Sequence, residues 1–194
     1  MIRTFIALEL PELELKKIID IKNNYINDYD NIKWEPINKL HLTLKFLGDT
    51  DENIIPAINS ELENILKNYE VFELTFDKFG LFIKDKKPRI LWIGLKENSK
   101  LNCLAQEIDN VISKFGFEKE KRKFTPHITL LRIKDKDEKF YKDFYKLTQV
   151  EIPEINFYAD KITLFKSTLL KTGSVYEPIK NFYIKNIGGE NVTR

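Results

Sequence analysis

The sequence predicts an α+β fold in which antiparallel sheets carry helices on their outer faces, and three observations predict it. Apolar, β-prone runs mix with amphipathic helical stretches in no strict βαβα order. Neighbouring β-prone runs are joined by short turns, a lysine-rich one at residues 84–88 and Gly173-Ser174, which favours hairpins over crossovers. One four-residue pattern, His-aliphatic-Thr-Leu, also occurs twice, within Leu40-His41-Leu42-Thr43-Leu44 and Pro126-His127-Ile128-Thr129-Leu130. A duplication of that kind suggests two related lobes.

The elements follow in order. Residues 2–10 are apolar and suit a buried strand. Pro11 then opens a helical pattern with Leu13, Ile18, Ile19 and Ile21 on a face. Residues 31–36 read as a short extended piece, and 40–47 as the next strand, ended by Gly48-Asp49. Thr50 or Asp51 is placed to cap a helix running to about Tyr69, with Ile54, Ile58, Leu62, Ile65 and Leu66 at helical spacing. Strands are expected at 71–83 and 90–95. A third helix is expected from Ser99 to Gly116, with Leu101, Leu104, Ile108, Val111 and Ile112 apolar. A strand at 124–133, a charged amphipathic helix at 134–147 and strands near 155–158, 161–170 and 175–184 complete the chain. No stretch reads as a linker, so residues 1–194 are expected to form a single unit of two lobes.

Composition narrows the function classes. The 194 residues carry 32 basic and 30 acidic side chains, a net charge of +2, which argues against indiscriminate coating of nucleic acid but permits a local basic cleft. One cysteine, Cys103, rules out an intramolecular disulfide and a cysteine-based metal cluster. The first residues lack the order of a signal peptide, and no apolar run approaches the roughly 20 residues that span a bilayer. A cytoplasmic protein, with a monomer as the simplest assumption, is the expectation.

The only two histidines in the chain both sit in the duplicated motif, each with threonine two residues on. In a strand, side chains two apart share a face, so each strand offers an imidazole and a hydroxyl to one surface and turns its leucines or isoleucine the other way. Two such pairs facing each other across a groove suit phosphoryl chemistry. One ring can accept a proton while the other donates, and the hydroxyls can donate to the oxygens where charge develops. In-line displacement at phosphorus needs acid and base on opposite sides, which facing strands provide. Zinc is the competing use of histidine, but two histidines rarely complete a site and no HExxH pattern is present, so no metal or other cofactor is expected.

At these residues the sequence resembles the two-histidine phosphoesterase superfamily, and within it the RNA 2′,3′-cyclic phosphodiesterases first described as 2′-5′ RNA ligases. The resemblance covers most of the chain: RTFIALELP at 3–11, Trp34, LHLTLKFLG at 40–48, PRILW at 88–92, FTPHITLLR at 124–132, and ITLFKS at 162–167 followed by Tyr176. It departs at Lys123 and Leu131, where such proteins often have proline and alanine. The resemblance implies two similar α+β lobes about a central cleft, and hydrolysis of an RNA 2′,3′-cyclic phosphate end to a 2′-phosphomonoester. It implies His41 as proton donor to the leaving 3′-oxygen and His127 as the base that activates water. It implies Thr43 and Thr129 as phosphate-binding residues, with Arg132 adding a charge-assisted contact.

Beyond the motif, Lys45, Arg89, Arg122, Lys123 and Lys166 are candidates for RNA phosphates, each weighed against an ordinary solvated charge. Among aromatic residues Trp34, Phe46, Phe79 and Phe82 read mainly as packing, and alternation puts Phe46 on the core face with Leu42 and Leu44. Phe165, next to Lys166, is the first choice for base stacking. Two alternatives stand beside RNA-end hydrolysis: action or ligation at 2′-5′ linkages or on small cyclic nucleotides, and a non-catalytic RNA-binding module.

Overall fold

The computed structural model describes residues 1–26, 32–134, 138–171 and 173–186. The chain runs β1 (Ile2–Leu8), α1 (Glu12–Tyr25), β2 (Leu42–Thr50), α2 (Ile55–Leu66), β3 (Phe72–Lys84), β4 (Lys87–Leu95) and α3 (Ser99–Ser113). It continues through β5 (His127–Arg132), α4 (Glu138–Leu147), β6 (Ile155–Ala159), β7 (Lys161–Leu170) and β8 (Gly173–Tyr183). Two four-stranded antiparallel sheets result, ordered β2-β1-β7-β8 and β5-β4-β3-β6. The fold is α+β, as expected.

The duplication in sequence is a duplication in topology. Strand β1, helix α1 and motif strand β2 form one series; β4, α3 and motif strand β5 form the other. In each sheet the motif strand is an edge strand paired antiparallel to the strand that precedes its helix. The two edges β2 and β5 lie in contact. The lobes are interleaved, because β3 leaves α2 for the second sheet while β7 and β8 return to the first. The apolar core is likewise continuous, from Ile6, Leu8 and Leu42 of one sheet to Leu91, Ile93 and Ile128 of the other.

Helix burial follows the 3.6-residue period: Ile58, Leu62, Ile65 and Leu66 face inward on α2, and Leu101, Leu104, Ala105, Ile108 and Ile112 on α3. No helix among the described residues is long and apolar enough to cross a membrane.

Several boundaries differ from expectation for local reasons. Strand β2 does not end at Gly48-Asp49 but runs to Thr50, with Gly48 at φ +75° inside it. Its pairing with β1 slips twice, from Ala7↔Thr43 to Ile6↔Lys45 and from Phe5↔Phe46 to Thr4↔Gly48. Each slip inserts an extra residue and resets which side chains face inward. Lys45 is therefore turned in, only 7% exposed, and Phe46 is turned out, 68% exposed, the reverse of simple alternation. Asp51 caps a 3₁₀ turn, Glu52–Ile54, through its carboxylate and the Asn53 amide at 3.0 Å; α2 follows with Pro56 in its first turn and stops at Leu66, before Tyr69. Asn98 rather than Ser99 caps α3, accepting from the Leu101 amide at 3.0 Å, and the helix ends at Ser113 ahead of Gly116 at φ +90°.

Only His127–Arg132 of the expected strand at 124–133 is paired as a strand. Gly173 and Ser174 are not the hairpin turn. They pair with Leu170 and Leu169 and so belong to β8; Thr172 lies outside the described residues. Asn31 of the short extended piece and residues 135–137 of the charged helix also lie outside them. The lysine-rich turn narrows to Asp85-Lys86, both at positive φ (53° and 61°), the backbone a two-residue hairpin requires.

One packing arrangement bears on the site. The Trp92 indole on β4 lies over two glycines, Gly80 of β3 and Gly94 of β4, where added Cβ atoms would stand 2.1 and 2.4 Å from its ring carbons. Gly80→Ala should therefore lower unfolding free energy by about 1–3 kcal/mol through overpacking. Urea unfolding followed by tryptophan fluorescence will measure this, and an unchanged midpoint would contradict the packing described.

Candidate active site

His41 immediately precedes β2 and His127 opens β5, so the two rings enter the same region from the touching edges of the two sheets. Each is held in the same way. His41 Nδ1 lies 2.8 Å from the Lys39 carbonyl, and His127 Nδ1 lies 2.7 Å from the Thr125 carbonyl, two residues upstream in both cases. A carbonyl only accepts, so Nδ1 carries the proton and donates. Each neutral ring is thereby fixed in the tautomer whose Nε2 lone pair is free, and each Nε2 is the nitrogen available to a ligand.

A cavity of about 850 Å³ contains His41, Thr43, His127, Thr129 and Arg132 in its walls. This falls within the range of small-molecule sites. Both threonines are half-buried, as expected of side chains that share a face with a histidine at the lip of a cleft. Arg132 Nε donates to Glu35 Oε1 at 3.2 Å, and Glu35 lines the same cavity.

Aromatic rings surround each imidazole. His41 packs against Phe5 at 4.9 Å and, edge-on, against Tyr176 at 5.3 Å. His127 meets Phe82 edge-on at 4.7 Å and Trp92 at 5.9 Å. These rings cannot solvate an imidazolium as water does. Burial is the first cause that holds His41 down to about 4, partly opposed by its bond to the Lys39 carbonyl. Positive charge on Arg132 and on His127 lowers it further, while Glu9 works the other way. His127 is also held below its ordinary value, first by burial and then by Arg132, against the pull of the Thr125 carbonyl. An anion bound between the rings would offset Arg132 and raise both.

The structure separates the remaining candidates. Arg122 and Lys123 line the cavity. Lys45 reaches its wall, but its ammonium is bonded to Asp109 and to the Glu118 carbonyl. Phe165 stacks on Phe5, 5.1 Å between centroids, and stands 6.2 Å from His41, but is not part of the cavity wall. Lys166 faces Glu177 at 3.9 Å, and neither it nor Arg89 is part of the cavity wall. Phe46 and Phe82 do line it, whereas Phe79 is core and Trp34 packs under Lys22.

Sequence reasoning missed Glu35 and one face of α3, where Asn102, Gln106 and Asp109 recur at helical spacing along the cavity. That spacing is visible in sequence, but which helix face looks into a cleft is not. Among the described residues no group of three or more His, Cys, Asp or Glu is arranged to hold a metal ion.

The chain is 34% identical over 178 residues to a Thermotoga maritima protein named RNA 2′,3′-cyclic phosphodiesterase, covering 90% of this chain and 91% of that one. A Methanocaldococcus jannaschii protein of the same name is 32% identical over 93% of this chain and 99% of its own. Escherichia coli LigT, solved in complex with 3′-AMP, superposes with a TM-score of 0.76 at 25% identity, covering 95% of this chain and 99% of LigT. Residues 33–169, which include both histidine motifs, match the family model of the 2′-5′ RNA ligase superfamily, and the chain belongs to that superfamily.

Proposed function

We propose that the protein hydrolyses the 2′,3′-cyclic phosphate at an RNA end to a 2′-phosphomonoester, with His41 and His127 dividing the proton transfers. The observation that carries this reading is the matched pair of imidazoles. Each has Nδ1 tied to a backbone carbonyl, each has a threonine two residues on, and all four side chains line one cavity. The relatives from Thermotoga maritima and Methanocaldococcus jannaschii bear the name of this activity.

In the reaction a water oxygen attacks phosphorus and its proton passes to His127 Nε2. The bond from phosphorus to the 3′-oxygen breaks as His41 Nε2 delivers a proton to that oxygen. The 2′-oxygen keeps the phosphate. Thr43 and Thr129 donate hydrogen bonds to the non-bridging oxygens, and Arg132 complements their charge. His127 ends protonated and His41 neutral, and exchange with solvent restores the pair.

A single-nucleotide substrate is the second reading, favoured by a cavity on the scale of a small-molecule site. Turnover of cyclic-phosphate oligonucleotides, cyclic mononucleotides and 2′-5′ dinucleotides, compared by kcat/KM, separates the two. Preference for mononucleotides would overturn the RNA-end assignment.

Two outcomes are expected of the catalytic pair. His41→Ala and His127→Ala should each lower kcat by about 10²–10⁴-fold with circular dichroism unchanged. Turnover equal to wild type in either variant would remove that histidine from the mechanism. The pH dependence follows from the sign of the shifts. The active form carries one proton on the pair, so its population peaks between two apparent values that both lie below 6.5 in the free protein. The kcat/KM profile should be a bell centred on the acid side of 6.5, falling as pH rises. The kcat profile should lie at higher pH, because the bound phosphodiester anion favours the protonated ring.

A further inference from the structure

Lysine is seldom buried unless it is paired, and Lys45 is 7% exposed in the wall of the candidate active site. Its partners belong to the other half of the molecule. The ammonium bonds the Asp109 carboxylate on α3 and donates to the Glu118 carbonyl at 2.6 Å. The same Asp109 oxygen accepts the Glu120 amide at 3.2 Å. Lys45 and Asp109 thus grip, at Glu118 and Glu120, the irregular segment 114–126 that links α3 to His127. That segment supplies the Thr125 carbonyl that orients the His127 ring.

The opposite motif repeats the arrangement. Arg132, three residues past Thr129, holds Glu35, which stands six residues before His41. The Glu35 amide also donates to the Leu130 carbonyl at 2.9 Å, and Trp34 bridges Leu131. Each motif strand therefore carries a cation just beyond its threonine, and each cation engages the segment leading into the other strand's histidine.

From this juxtaposition we infer that Lys45 is a positioning residue, not an RNA contact: through Asp109 and the Glu118 carbonyl it fixes the segment that aims His127 at the phosphorus held beside His41. The inference rests on the reading of the two histidines as the acid–base pair. Two rings from different sheets must meet one phosphorus with little tolerance, and a loop of this length is a poor mount unless anchored. Anchoring it to the strand that carries Thr43, and that His41 leads into, ties the two halves of the reaction to one frame.

Lys45→Met and Asp109→Asn test this on a cyclic-phosphate oligonucleotide. Each should lower kcat by about 10- to 100-fold. KM, and its dependence on salt, should stay as in wild type, and the double variant should be no worse than the poorer single. A raised KM with a shallower salt dependence in Lys45→Met, absent in Asp109→Asn, would make Lys45 a phosphate contact and overturn the proposal. Unchanged kcat in both variants would overturn it too. Asp109→Asn preserves volume and an acceptor for the Glu120 amide, so it carries the test if Lys45→Met does not fold. The imidazole resonances of Asp109→Asn give a readout independent of turnover: the His127 signals should shift, and identical spectra count against the clamp. Wild-type protein without any cyclic-phosphate hydrolysis would instead sink the activity, leaving those resonances to judge the positioning role.

Discussion

The hydrogen bond from each imidazole Nδ1 to the carbonyl two residues upstream is the constraint on which the site depends. The carbonyls it uses, of Lys39 and Thr125, lie in the chain leading into β2 and β5 and not within those strands. It fixes the tautomer of the neutral ring, sets the plane of the ring and leaves the Nε2 lone pair free. Repeated at the same offset in both motifs, it turns a sequence duplication into a matched pair of imidazoles. The threonines follow from strand periodicity once the rings are set.

The surroundings of those rings trade solvation against chemistry. Phe5 and Tyr176 around His41, and Phe82 and Trp92 around His127, withdraw both imidazoles from water. Arg132 adds positive charge to the same space. Such surroundings disfavour a proton on either ring, and negative charge brought beside them would oppose that preference. Glu35, paired with Arg132 through Oε1, sets a negative charge beside that positive one.

Irregular backbone does as much to shape the cleft as the regular sheets. Two slips between β1 and β2 send Lys45 inward to Asp109 and Phe46 outward to the cavity. The unpaired stretch before β5 brings Arg122, Lys123 and Thr125 to the same space. The sheets hold the two motif edges together, and the segments entering each motif are bonded across to the other. The cleft is therefore a property of both lobes jointly, in keeping with their interleaved strands and continuous core.

The reach of the sequence follows the range of the forces involved. Two-residue spacing in a strand is local, so His41 with Thr43 and His127 with Thr129 were legible as paired side chains, and the duplication made their convergence legible too. Apolar periodicity marked the helices and the α+β class for the same reason. Bulges, burial and ion pairs depend on residues far along the chain. Only the tertiary structure decided that Lys45 is spent on Asp109, that Phe46 rather than Phe165 faces the cavity, and that α3 lends it a polar face. The sequence by itself determined which polar and titratable side chains the two motif strands present. Their protonation and their aim were decided by folding, because desolvation and cross-strand register exist only once distant segments pack.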